Sequence, residues 1–129
     1  TLENAGHVVW TGTAGLACDY GAVMTNRAGA LWEVRNDQTF HWGTNPSLSP
    51  RFENAGTFRK RVATGTTTFA FRPSGEPGMV FNNYGTVDLQ SGTLQFSGLL
   101  THRPQSVEKL LRLLFRPSEF LAGLVVPCP

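Results

Sequence analysis

Cysteine is almost missing from this chain. Among its 129 residues only Cys18 and Cys128 occur, one near each end, and neither stands in a spacing that zinc or a redox pair requires. They either pair or stand as two thiols. Charge is scarce as well: 16% of residues are Asp, Glu, Lys or Arg, and the net charge is +2. Up to residue 100, seven Lys/Arg balance seven Asp/Glu, so the whole excess lies in residues 101–129. Without a basic stripe or an aromatic ladder interleaved with basic residues, nucleic acid is excluded as the expected partner. No apolar run approaches the roughly 18 residues of a membrane span. No leader is read at the start, so a secreted parent would carry one outside this stretch. Also missing are the familiar catalytic signatures G-x-S-x-G, H-E-x-x-H, the P-loop and G-x-G-x-x-G. Before residue 100 there is no helical hydrophobic period, which removes helices from the expected frame.

What remains is an ordered, turn-rich composition: 40% hydrophobic residues, 14 Gly and 8 Pro. The length suits one domain with a sizeable core. Within it a short phrase recurs. "LENAGHVVW" from Leu2, "MTNRAGALWEV" from Met24, "FENAGTFRKR" from Phe52 and "FNNYGTVDLQ" from Phe81 share an Asn, then a Gly, then alternating side chains. Their asparagines, Asn4, Asn26, Asn54 and Asn83, are 22, 28 and 29 residues apart. That is the length of one supersecondary unit, so each unit is expected to be one coil of a solenoid.

Alignment on the Asn tests the idea, because stacked coils must point the same positions inward. The fourth residue after it is Val8, Ala30, Phe58 or Val87, and the sixth is Trp10, Trp32, Lys60 or Leu89. All but Lys60 are apolar. The intervening set, Val9, Leu31, Arg59 and Asp88, then Thr11, Glu33, Arg61 and Gln90, is mostly polar in the later coils. This is strand alternation. "TTTFAF" at 66–71 and "GTLQFSG" at 92–98 alternate too. The expected fold class is all-β, a parallel β-solenoid of about four coils over residues 1–100. In it the asparagines form a ladder along one corner, and the Gly after each supplies a backbone conformation that a β-carbon resists. An extra residue before Gly29 predicts a bulge. On the outside Asp88 is expected above Arg59, and Arg61 above Glu33, as cross-strand ion pairs.

Residues 101–129 read differently, as a Leu-rich tail. Val107, Leu110, Leu111 and Leu114 fall at i, i+3, i+4 and i+7 behind Ser106 as N-cap, which predicts a short amphipathic helix that Pro117 ends. A solenoid's last coil exposes strand edges and an apolar interior, so this tail is expected to cap it. Self-association through the solenoid ends or this helix is the alternative use.

The units "FENAGTF", "FNNYGTVDLQSGTLQFSG" and "LENAGHVVW" closely resemble the F-N-N-x-G-T-V-x-x-x-S-G-T-L repeats of large bacterial extracellular and autotransporter-like proteins. The resemblance covers roughly residues 2–98 and stops before His102. It implies a right-handed parallel β-helix at the cell surface or secreted. Such proteins include adhesins, biofilm components and β-helix enzymes acting on polysaccharides. The function expected is therefore a scaffold or a carbohydrate-binding, adhesive surface.

A competing class is a small hydrolase or lyase acting on a polysaccharide, ester or lactone. Its best local candidate is "RNDQTFHWGTNPSLSPR" at 35–51, a long polar insertion of the kind that often binds ligand. Asp37 and His41 would be its acid and base; Trp42 would stack on a sugar, with Asn45 beside it. Otherwise the aromatics of this segment simply cover the coil edge. No cofactor motif is present and no cofactor is expected. His7, His41 and His102 show no metal-ligand spacing, so no metal site is expected either.

Overall fold

The computed structural model describes residues 1–43, 48–70 and 78–103, and the backbone of 124–125. The chain winds through coils of three short strands each. The first coil holds β1 (Leu2–Asn4), β2 (His7–Trp10) and β3 (Leu16–Cys18), and the second β4 (Val23–Asn26), β5 (Leu31–Val34) and β6 (Thr39–Trp42). The third holds β7 (Arg51–Asn54), β8 (Thr57–Lys60) and β9 (Thr66–Phe69), and the fourth β10 (Val80–Asn83), β11 (Thr86–Leu89) and β12 (Thr93–Phe96). Two further strands, β13 (Leu100–His102) and β14 (Leu124–Val125), follow.

Each strand pairs with its counterpart one coil away, always in parallel. Three sheets result: β1-β4-β7-β10-β13-β14, then β2-β5-β8-β11, then β3-β6-β9-β12. This is the parallel β-solenoid that the repeat predicts. Parallel pairing is available here because each coil supplies the long crossover that parallel neighbours need. No described residue lies in a helix. The helix expected behind Ser106 and Cys128 lie outside the described residues.

Aromatic rings dominate the interior. In the third coil Phe52, Phe58 and Phe69 meet at the centre, all fully buried. Phe52 packs edge-on against Phe58 at 5.3 Å and 84°. Between coils the rings stack instead: Phe40 on Phe69 at 4.4 Å and 8°, Phe69 on Phe96 at 5.0 Å and 18°, and Phe52 on Phe81 at 5.5 Å and 16°. The strand spacing of about 4.8 Å is close to an offset-stacking distance. A phenylalanine at the same inward position of successive coils therefore stacks without distortion.

The Asn corner forms as expected. Asn4 Nδ2 donates to Asn26 Oδ1 at 2.8 Å, Asn26 Nδ2 to Asn54 Oδ1 at 2.8 Å, and Asn54 Nδ2 to Asn83 Oδ1 at 2.6 Å. Each of these amides also donates to the carbonyl that opens the next coil's second strand, Leu31, Thr57 or Thr86. All four asparagines are buried.

Two local expectations need correction. In the second coil the inward pair is Trp32 and Val34, not Ala30 and Trp32, because Val8 aligns with Trp32 and Trp10 with Val34. The turn from Asn26 to Leu31 is two residues longer than its counterparts, and Gly29 absorbs the excess at φ 81°. The glycines of the other corners serve another purpose. Gly6, Gly56 and Gly85 are not among the positive-φ residues. What excludes a side chain at Gly85 is space, since a Cβ there would run into the carbonyl oxygen of Gly56 in the coil below.

Candidate functional site

The segment 35–51 is not an insertion from the stack: its described residues include the corner after β5, the whole of β6 and the first residue of β7. Asp37 sits at that corner and is directed toward the third coil. Its Oδ1 lies 2.7 Å from Lys60 Nζ, and a Cβ on Gly65 would touch its Oδ2. Lys60 is the one polar member of the inward set, and its side chain is fully buried. It has three N–H donors and three acceptors: Asn36 O at 2.7 Å, Asp37 Oδ1 at 2.7 Å and Thr67 Oγ1 at 2.9 Å. Thr67 Oγ1 in turn donates to Asn36 O at 2.7 Å. The Lys60 bond holds the Asp37 carboxyl below its ordinary pKa despite partial burial, and the Gly65 amide adds to it. Asp37 is therefore the counter-ion of an interior lysine.

His41 faces the other way along the stack. It lies on the outer side of β6, half-buried, with Nδ1 3.4 Å from the carbonyl of Thr39. A Cβ on Gly15, in the first coil, would meet its ring at 3.1 Å. Structure thus brings Asp37 to Lys60 and His41 to Gly15, rather than the two to each other. Trp42 is buried on the inner side of β6, in register with Cys18, which leaves its ring little surface for a sugar. Asn45 lies outside the described residues. Burial, then the Asp19 charge, pushes the Cys18 thiol up, away from thiolate reactivity. Among the described residues no group of three His, Cys, Asp or Glu side chains is placed to hold a metal ion. The described residues hold no helix long and apolar enough to cross a membrane.

A second polar surface is the outer side of the sheet β2-β5-β8-β11. Along it Val9, Glu33, Arg59 and Asp88 are in register. Arg59 Nε donates to Asp88 Oδ2 at 2.8 Å, the expected pair. Glu33 is 1% exposed although it points outward, because two arginines cover it. Arg35 bonds its Oε1. Arg61 Nε lies 2.8 Å from its Oε2, a charge contact whose N–H is not aimed at an acceptor. Burial works to raise the Glu33 pKa, but the Arg35 and Arg61 contacts outweigh it, and the carboxyl is held below its ordinary value. Arg61 was expected above Glu33; it lies diagonal to it, since Arg61 follows Lys60 and Lys60 aligns with Val34. The role of Arg35 was not anticipated, although its i+2 spacing from Glu33 places both on one strand face.

The Asn ladder ends on His102, a residue of the expected tail. β13 pairs with β10 so that His102 stands above Asn83, and Asn83 Nδ2 lies 2.8 Å from His102 Nδ1. Asn83 Oδ1 is already occupied by Asn54, so its amide must donate upward and His102 Nδ1 must accept. The imidazole is therefore neutral, with its proton on Nε2. Burial lowers its pKa, in keeping with that state.

Comparison of the chain with protein-family models, with curated proteins and with solved structures gave no match.

Proposed function

We propose that this chain is a non-catalytic β-helix module of a secreted bacterial surface protein, a scaffold whose outer faces bind carbohydrate. One observation carries the choice over a hydrolase. The carboxylate of the best acid/base candidate, Asp37, is held by buried Lys60 and directed away from His41. General acid and base must flank one bond within hydrogen-bond reach of the same substrate, and these two groups are turned toward opposite neighbouring coils. The repeat resemblance supports a surface-exposed bacterial setting and a right-handed winding, the hand that crossovers between parallel strands strongly prefer. A tail that covers the last coil, with the helix behind Ser106, completes the reading.

The test is a panel of chromogenic ester, lactone and glycoside substrates run beside a glycan array. Wild type, His41→Ala and the Asp37→Ala, His41→Ala double variant are compared. No turnover by any of them, together with glycan retention, is the expected result. Turnover that His41→Ala abolishes, with the fold intact, would replace this reading by the hydrolase.

A further inference from the structure

The outer face of β2-β5-β8-β11 carries more positive charge than its carboxylates use. Arg35, Arg59 and Arg61 stand there against Glu33 and Asp88, three guanidiniums for two carboxylates. Both oxygens of Glu33 are taken, Oε1 by Arg35 and Oε2 by Arg61. These contacts engage Nε of each arginine, and the side chains of Arg35 and Arg61 remain 35% and 40% exposed, which leaves both within reach of a ligand.

The arrangement is linear. Arg35 N bonds Trp10 O, Arg61 N bonds Val34 O and Gln90 N bonds Lys60 O, so Thr11, Arg35, Arg61 and Gln90 occupy equivalent places in four successive coils. Steps of about 4.8 Å per coil make a straight polar row about 14 Å long. Glu33 lies beneath the two arginines and holds both guanidiniums to the sheet before any ligand arrives. Preorganisation of this kind lowers the cost of binding, and planar guanidinium forks match carboxylate and sulfate geometry.

We propose that this row, Thr11, Arg35, Arg61 and Gln90 with Arg59 alongside, binds an acidic polysaccharide lying along the solenoid axis, the arginine forks taking its carboxylate or sulfate groups. The inference rests on the carbohydrate-binding reading above and assigns its surface and ligand charge. Two arginine forks, Arg35 and Arg61, can meet two successive anionic groups of such a polymer, and the net excess is one charge. It is too small for the many phosphate contacts that hold nucleic acid.

Affinity electrophoresis of the whole chain in gels containing polygalacturonate, dextran sulfate, neutral dextran or single-stranded DNA tests this. The polygalacturonate and dextran sulfate arms separate carboxylate from sulfate recognition. Removing an arginine would strand buried Glu33, so the main variant is Thr11→Glu, Gln90→Glu, which adds charge at both exposed ends of the row and leaves the Glu33 contacts in place. The second is Arg35→Lys, Arg61→Lys, which keeps the charge and loses the forks. Circular dichroism and melting confirm that each variant is folded. The expected result is retardation in at least one acidic gel, weakened about fivefold or more by the glutamates at low salt and also reduced by the lysines. Equal retardation of wild type and the glutamate variant, or equal retention by single-stranded DNA, would overturn the assignment. Binding confined to neutral glycans would also overturn it while leaving the carbohydrate reading intact. No retention on any glycan, here or on the array, would sink both.

Discussion

Removing Asp37 and removing Lys60 should have unequal consequences, although the two form one ion pair. Asp37→Ala leaves the Lys60 ammonium fully buried, with two neutral acceptors, Asn36 O and Thr67 Oγ1, and no counter-charge. Breaking a buried pair from one side costs about 3–5 kcal/mol. The Asp37 side chain is 39% exposed, so water screens part of the lost attraction, and about 2–3 kcal/mol is expected. Lys60→Met instead puts an unbranched apolar chain in the column of Trp10, Val34 and Leu89. It strands little: Thr67 still donates to Asn36 O, and Asp37 keeps solvent. Replacing a buried charge by a well-packed apolar side chain is often neutral or stabilising, so a change within about 1 kcal/mol is expected. The Asp37→Ala, Lys60→Met double variant should then resemble Lys60→Met alone. Urea unfolding of the four proteins, with slopes compared to check cooperativity, measures these differences. The acid side gives a second readout. Because the folded-state pKa of Asp37 is lowered, its contribution is fully present above its ordinary value of 3.8 and is lost as pH falls through the depressed folded value. That slope should shrink in Lys60→Met. A Lys60→Met loss as large as that of Asp37→Ala would refute the reasoning, for then the pair would be a net source of stability.

Val62 holds φ 76° and is 69% exposed; Val62→Gly should stabilise by about 1 kcal/mol, strain relief exceeding the entropy cost of glycine, visible as a raised Tm. Gly12, which follows Thr11 as Val62 follows Arg61, already sits at φ 88°. Asn54→Leu should cost about 2–4 kcal/mol in urea unfolding, because it strands the buried Asn83 Oδ1 and takes one acceptor from Asn26 Nδ2. A loss below 1 kcal/mol would mean that the ladder contributes little. For His102 the folded pKa is lowered by burial, so its contribution is fully present above its ordinary value of 6.5 and disappears as pH falls through the depressed folded value. Melting curves between pH 7 and pH 5 should show this component in wild type and not in His102→Asn, where an amide continues the ladder without titrating.

The frame of this protein could be read from one dimension because a solenoid repeats its own environment. The Asn and Gly positions of Leu2–Gly6, Phe52–Gly56 and Phe81–Gly85 mark one corner, and period-two alternation after them tells inside from outside. Cross-coil pairs such as Arg59 with Asp88 followed wherever the turns had equal lengths. Register is not legible in one dimension where turn length changes: the longer turn after Asn26 shifts the second coil by two residues, so that Trp32 and Val34 take the inward places expected of Ala30 and Trp32, and Glu33 is flanked by Arg35. The fifth level went unread at "LTHRP" because it carries His102 in place of Asn. What the amino-acid order determined by itself was the coil, its corner and its inward face, since these depend on spacing within one strand. Tertiary structure alone decided that Asp37 serves Lys60 rather than His41, that Trp42 is core, and that three arginines share two carboxylates. Each of these depends on which residues of different coils come into register, and that is set by turn lengths and close packing across the stack.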